Sequence, residues 1–292
     1  MFFVEHRWNC HSAAVAGLGC CHNRPPAGQS MSAVMLSFCI RDWFAWKPGL
    51  ESRGEWLRRA GACPTDASTA WENNAIVPLP MMLRRRVSGF GQKVVGAALT
   101  MPAAREARYV FASRHGEFAT TLRILENLHQ RSAPSPADFS MSVHHALAGL
   151  LSIQTGDKAG HTTVSAGRDT FGYGLLEAAA LVADQPAQSA LLVYYDEPLP
   201  EIYGDFQESD EMHLPLVVAL DIVASDLAAD HPRPQLELTL VPDEELAAEQ
   251  RAGKGAALDL PMGQRFLDFL LSDRPGAMLA GETMNWVLRR AA

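Results

Sequence analysis

The chain has 292 residues, of which 48% are hydrophobic, and its 25 basic and 33 acidic residues give a formal net charge of −8. This length is enough for one large domain or two small ones with a sizeable core. The acidic balance argues against a nucleic-acid-binding protein, which normally has a basic surface, and no apolar run approaches the roughly 20 residues of a membrane span.

The five cysteines form no paired CxxC arrangement, so we expect neither a zinc site nor a disulfide framework. This usage indicates a reducing compartment, and we predict a cytoplasmic protein without a metal or a cofactor. The cysteines and histidines among the first 22 residues are an alternative metal site in principle.

Residues 1–30 show no clear hydrophobic periodicity. Their apolar stretch AAVAGLGCC is short, and Glu5 lies where an export signal would carry basic residues. A cleaved signal is the alternative to our interpretation, which is an upstream extension or a disordered segment. We predict that the folded domain spans residues 31–292.

Hydrophobic patterning predicts alternating strands and helices along the first half of that domain. We expect a strand in SAVMLSFCI, then a loop through RDWFAW and a short helix around Trp56. A helix over LRRRVSGFGQKVVGAALTM, a strand ARYVFAS and a helix FATTLRILENLHQ follow. SAPSPADFS is predicted as a loop, and SVHHALAGLLSIQTG as an apolar helix that carries His144 and His145.

The second half begins with a short predicted strand at the β-branched residues Thr162, Thr163 and Val164, a tight turn at Gly167 and a helix from Phe171. Further strands are expected in SALLVYYDE, LPLVVALDIVA and QLELTLVP, and a helix in MGQRFLDFLLSD. The continuous apolar run of SALLVYYDE is typical of a sheet covered on both faces. These elements predict an α/β fold with a mixed, mostly parallel sheet that has helices on both faces.

The turn Gly167-Arg168-Asp169 lies where many acyl-transfer enzymes place a nucleophile, between a strand and a helix N-terminus. No cysteine or serine is present at the tip. The positive charge of Arg168 at a helix N-terminus interacts unfavourably with the helix dipole unless an acidic group pairs with it. Two interpretations stay open: a solvent-exposed Arg-Asp turn, or an arginine that fills a vacated cavity or crosses a subunit interface.

Other residues offer weaker candidate sites. Ser165 lacks a GxSxG context, because Thr163 replaces the first glycine. The turn from Ser113 to Glu117 follows a predicted strand and could line a ligand crevice. Arg84, Arg85 and Arg86 form a basic run, which is either a solvated helix face or a docking patch for an acidic partner.

Several separated motifs resemble the short β-ketoacyl synthase-like, chain-length-factor family of type II polyketide and aryl polyene systems. They are, in chain order, DWFAWKPGL, LRRRVSGFGQ, SRHGE, SPADFSMSVHHALAGL and SAGRDTFGYGLLEA. The resemblance covers most of the chain from Met31 onward. It implies a thiolase-like fold, of which only the N-terminal half is present.

The resemblance places the nucleophilic cysteine of an active ketosynthase at Arg168. The second half of a ketosynthase, with its catalytic histidines, has no counterpart here, and His213 and His231 match no family motif. Condensation requires a thiolate, and decarboxylation requires those histidines. The resemblance therefore implies a non-catalytic subunit that pairs with an active β-ketoacyl synthase and shapes its acyl tunnel.

The same resemblance assigns roles to individual residues. It implies that the strand Thr162, Thr163, Val164, Ser165 and Ala166 pairs across a subunit interface. Gly167, Arg168, Asp169 and Phe171 would line the acyl pocket, although a core role for Phe171 is equally compatible with the pattern. Acyl carrier protein would meet Arg84, Arg85 and Arg86.

Two alternatives remain. The first is a divergent acyltransferase or thioester hydrolase that uses Ser165 with His115 or His145; its activity would be lost on Ser165→Ala. The second is an acyl-carrier-docking module that binds the carrier without any ketosynthase.

Overall fold

The computed structural model describes residues 35–61, 75–225, 235–246 and 258–291, all within the unit Ala33–Ala292. Residues 1–30, Cys63 and His231 therefore lie outside the described residues. The strands are β1 (Met35–Trp46), β2 (Arg108–Ala112), β3 (His161–Val164), β4 (Ala190–Asp196), β5 (Leu216–Ala224), β6 (Gln235–Pro242), β7 (Gly276–Ala280) and β8 (Met284–Arg290). The α-helices are α1 (Arg53–Arg59), α2 (Met81–Arg84), α3 (Gly89–Leu99), α4 (Phe118–His129), α5 (Pro136–Ser142), α6 (Ala146–Thr155), α7 (Thr170–Asp184) and α8 (Met262–Leu270).

The strands form one mixed sheet in the order β3-β2-β4-β5-β1-β6-β8-β7. The predicted α/β class with a mixed sheet is confirmed, but the expectation that most of the sheet is parallel was wrong. Among the described strands only β2 pairs in parallel, with β3 and with β4, and the other pairings are antiparallel. The reason is that no described α-helix crosses over between β4, β5 and β6.

Helices cover both faces of the sheet, as predicted. One face packs against α1, α7 and α8, and the other packs against α3 and α6. All residues of β4 are buried, which agrees with its unbroken apolar sequence. Within the described ranges, no helix has the length and apolar character required to cross a membrane.

Strand β1 is longer than predicted, because RDWFAW continues the strand and is not a loop. The register shifts between Ile40 and Asp42 in the pairing with β5. After this irregularity Trp43 faces one core and Phe44 the other. The polar residues at the shift interrupt the apolar sequence, and beyond the shift both faces of the strand are apolar. The sequence therefore lacks the alternation that would predict a strand here.

Three other expectations on element bounds were also wrong. The predicted helix over residues 83–101 is two helices, because Ser88 caps α3 by accepting a hydrogen bond from the Gly91 amide (2.8 Å). PADFS is helical, with Ser135 as the N-cap of α5. His144 and His145 precede α6 and do not lie within it.

The hairpin β7–β8 was not predicted, and it covers α7. Trp286 of β8 packs edge-on against Tyr173, with 5.3 Å between ring centroids. A Cβ on Gly172 would overlap the indole of Trp286, so glycine is what permits this close approach. The hairpin thereby encloses the helix that follows the Gly167 turn.

Candidate functional site

The predicted strand, turn and helix are present and form a sharp elbow between β3 and α7. Gly167 has φ of 55°, a conformation that favours glycine. The Thr170 hydroxyl donates to the Gly167 carbonyl (2.7 Å) and accepts from the Ala166 amide (2.9 Å). β3 itself ends at Val164, so Ser165 and Ala166 belong to the elbow and not to the strand.

Arg168, at the tip of the elbow, is turned into the protein. Its guanidinium pairs with Glu208 (2.8 Å) and Asp210 (3.6 Å), and it donates to the Leu258 carbonyl and to the Ser209 hydroxyl (3.3 Å). The side chain is 14% exposed. Of the two interpretations of Arg168, the solvent-exposed turn is therefore wrong, and the arginine fills the space at the elbow.

A second arginine, Arg114, shares the Asp210 carboxylate with Arg168. Arg114 pairs with Asp210 (2.7 Å) and Glu211 (3.2 Å), and His115 Nε2 lies 3.2 Å from the same Glu211 carboxylate. Burial lowers the pKa of Arg114, but the hydrogen bond and charge of Asp210 outweigh this effect and raise it overall. Both carboxylates and the Arg114 side chain are buried, so the elbow rests on a buried ion-pair network.

A third guanidinium, that of Arg265 on α8, lies close enough to Asp210 and Arg168 for their charges to act on it. Arg265 donates to the carbonyls of Leu260 (3.2 Å) and Ala280 (2.8 Å). Burial lowers its pKa to about 10, with Asp210 opposing and Arg168 adding to the decrease. Arg265 therefore stays charged at neutral pH, and the described side chains that contact Arg168 are two carboxylates and the Ser209 hydroxyl.

Asp169 ties the elbow to the β7–β8 hairpin. It is 4% exposed, and its carboxylate accepts hydrogen bonds from the amides of Glu282 (2.7 Å) and Thr283 (3.3 Å). It makes no side-chain capping bond to α7. Its contacts are those of an anchor between the elbow and the hairpin.

Phe171 is fully buried in the core. Its ring packs against Tyr194 (5.4 Å) and Phe266 (5.2 Å), measured between ring centroids. These contacts are those of a core residue, and a role as tunnel wall stays a prediction.

Ser165 is not joined to a histidine by any hydrogen bond within the described part of the chain. Its hydroxyl donates to the Arg114 carbonyl (3.0 Å). His115 is engaged with Glu211, and the ring of His145 lies beside His161, with 5.3 Å between centroids. The groups that a serine nucleophile would require are therefore not assembled around Ser165.

β3 forms one edge of the sheet, since its described pairing is with β2 alone. Thr162, Thr163 and Val164 are half-buried. The outer backbone groups of an edge strand are available for pairing with another chain.

Arg84 is the last residue of α2, and Arg85 and Arg86 follow it. All three are exposed, and none forms a salt bridge with another described residue. Arg86 borders an open, mainly apolar groove of about 540 Å³ between α5 and α6. The basic run thus lies beside an apolar surface.

The carboxyl ends of β2 and β4 meet in a polar cluster. Asp196 accepts hydrogen bonds from the Ser113 hydroxyl (3.0 Å) and the Arg114 amide (2.8 Å). These hydrogen bonds give the turn from Ser113 to Glu117 a structural role. Burial raises the pKa of the neighbouring Glu197 to about 7, with Glu117 and Asp196 adding to the increase.

Glu197 makes stability depend on pH. Between pH of about 4.3 and 7 the folded state keeps the proton that the unfolded state releases, so the free energy of unfolding falls as pH rises. We expect Glu197→Gln to stabilise the protein by about 1–3 kcal/mol at pH 8 and to have little effect at pH 4. Urea denaturation at both pH values measures this, and the exposed Glu126→Gln on α4 is the control. Equal effects of Glu197→Gln at both pH values would contradict a raised pKa for Glu197.

Sequence reasoning missed the partners of Arg168. Glu208, Ser209 and Asp210, which contact the Arg168 guanidinium, carry no local pattern that links them to the elbow. The acidic run ESDE is visible in the sequence, but only the fold brings it next to Arg114 and Arg168.

Comparisons with known proteins agree with this architecture. The family described as "Beta-ketoacyl synthase, N-terminal domain" matches residues 55–288. No curated protein sequence matches the chain. A chain of the complex between the ketosynthase ApeO and its chain length factor ApeC from Xenorhabdus doucetiae is 28% identical, with a TM-score of 0.69. That match covers 87% of this chain and 100% of the other.

Two more distant structures share the fold alone. The ishigamide ketosynthase/chain length factor is 14% identical with a TM-score of 0.61, and the match covers 88% of this chain and 100% of that one. The AntDE:AntF complex, a type II PKS acyl-carrier protein with its ketosynthase bound to the hexaketide, is 14% identical with a TM-score of 0.51. Its match covers 72% of this chain and 70% of that one.

Proposed function

The chain belongs to the family of β-ketoacyl synthase N-terminal domains, and from this premise we propose that it is a non-catalytic subunit of a type II polyketide-like system. In this proposal it acts as a chain length factor for an active β-ketoacyl-ACP synthase. The partner supplies the thiolate and the histidines, and this chain completes the heterodimer and helps to shape the acyl tunnel. By resemblance, the product is a polyene of the aryl polyene kind.

The observation that carries the proposal is the environment of Arg168. A ketosynthase needs a thiolate at the elbow, in a pocket with room for an acyl group. Here the corresponding side chain is a guanidinium that is paired with Glu208 and Asp210. A group held in this way cannot attack a thioester, because a protonated arginine has no free electron pair to donate.

The open edge of β3 supports pairing with a second chain. In this proposal, residues Thr162 to Ala166 meet the equivalent segment of the ketosynthase, and the elbow behind them is retained because it positions that strand. The complete coverage of a chain from a ketosynthase–chain length factor complex favours the same arrangement.

Arg84, Arg85 and Arg86 are the residues that we assign to the acyl carrier protein. They are exposed cations in an otherwise acidic chain, and the apolar groove lies beside Arg86. An acidic, partly apolar helix is the type of partner that such a surface fits. A carrier-docking module without a ketosynthase would use the same surface, and it differs in predicting no heterodimer.

Co-purification tests the proposal. The full chain is expressed alone and together with the ketosynthase encoded nearest to it, and the mass of each product is measured by light scattering. We expect a one-to-one complex on co-expression, and an insoluble or self-associated chain on its own. A soluble, monodisperse chain that does not bind the co-expressed ketosynthase would contradict the heterodimer. Acyl transfer by the isolated chain that is lost on Ser165→Ala would favour the hydrolase alternative.

A further inference from the structure

The connection between β4 and β5, residues 197–215, presents large apolar side chains to solvent. Ile202 is 75% exposed, Phe206 is 72% exposed and Met212 is 84% exposed. Burial of such a side chain against a partner stabilises a complex. A second protein that covered these side chains would therefore bind this connection with a favourable free energy.

The inner side of the same connection is fixed to the elbow. Glu208 and Asp210 pair with Arg168, and Asp210 also pairs with Arg114. Tyr203 packs edge-on against Phe118 of α4, with 5.2 Å between ring centroids. The connection is thus held in place by the buried Asp210 and the partly exposed Glu208 on one side, and by an aromatic contact on the other.

A buried ion pair contributes little net stability compared with apolar packing, and in some proteins its role is to fix geometry. A segment that is already ordered loses less conformational entropy when it binds a partner. Arg168 is therefore a positioning residue: it holds the 3₁₀ turn Ser209–His213 against the elbow and so orients the exposed apolar side chains.

Charge indicates the kind of partner. Glu201 and Asp205 are exposed beside Ile202 and Phe206 in the 3₁₀ segment Glu201–Phe206. This composition complements an apolar pocket bordered by lysine or arginine. We propose that the β4–β5 connection docks into such a pocket on the partner ketosynthase, an inference that rests on the proposed function.

Binding measurements on co-purified complexes test this inference. The dissociation constant is obtained by diluting the complex and counting intact particles by mass photometry. We expect Ile202→Ser/Phe206→Ser to weaken the complex at least about tenfold, since both side chains lose their buried contacts. Glu201→Lys/Asp205→Lys is expected to weaken it as well, and to reverse the response to added salt. The control is Met35→Ser, which alters a side chain that is 58% exposed on β1.

Arg168 variants test the positioning role. Arg168→Gln is expected to speed hydrogen exchange in residues 201–213 and to weaken the complex about tenfold. Arg168→Lys, which keeps the charge, should recover part of both effects. Unchanged affinity of the Ile202/Phe206 variant, while the wild-type complex forms normally, would overturn the inference and leave the proposed function intact. Absence of any wild-type complex would overturn both.

Discussion

Replacing Asp210 with alanine is expected to lower the free energy of unfolding by about 3 kcal/mol. Asp210 is 4% exposed and is shared by Arg114 and Arg168. Removal of one partner from a buried ion pair leaves an uncompensated charge and typically costs about 3–5 kcal/mol. The lower end applies here because Glu211 and Glu208 still face the two guanidinium groups. Urea denaturation followed by tryptophan fluorescence, at one protein concentration, measures the change.

Asp138→Ala is the matched control for Asp210→Ala. Asp138 also forms a two-pronged pair with an arginine, Arg123, at 2.8 and 3.1 Å. The Arg123 side chain is 53% exposed, so the pair is screened by solvent and its loss should cost no more than about 1 kcal/mol. Similar losses for the two variants would mean that the elbow network is not the buried structure described above.

The local elements around the elbow could be predicted because their signals are local. Thr162 to Val164 are β-branched, Gly167 permits the turn, and the apolar residues after it recur at helical spacing. The resemblance motifs lie on these same elements. This is why the strand, the turn and α7 were expected where the structure has them, and why the fold class was confirmed.

Pairings between distant parts of the chain could not be predicted in this way. Sheet direction depends on how the strands connect, and no local pattern records that β4 and β5 do so without a crossover helix. The side-chain partners of Arg168 lie about forty residues further along the chain, in the connection after β4. Whether Arg168 is exposed or buried depends on that contact, so the sequence left both interpretations open.

The β7–β8 hairpin could not be predicted from local patterns either, because its position depends on packing against a distant part of the chain. Trp286 and Leu288 alternate toward the core along β8, but the preceding Asn285 is also buried and donates hydrogen bonds to Val241 and Asp243. The position of the hairpin over α7 depends on two contacts from the elbow: the Asp169 carboxylate and the missing Cβ of Gly172. The elbow therefore contacts two distant parts of the chain: the hairpin through Asp169 and the β4–β5 connection through Arg168.

Gly172→Ala is expected to destabilise the protein by about 2 kcal/mol, although alanine is the better helix former. The added methyl group would overlap three ring atoms of Trp286, a fully buried side chain with little room to move. Gly149→Ala in α6 is the control, because no atom lies within 4 Å of its Cβ position. That variant should gain about 0.5–1 kcal/mol from helix propensity alone. Opposite signs for the two substitutions in urea denaturation would establish the close contact between β8 and α7, whereas stabilisation by both would mean that the hairpin does not pack on the elbow helix.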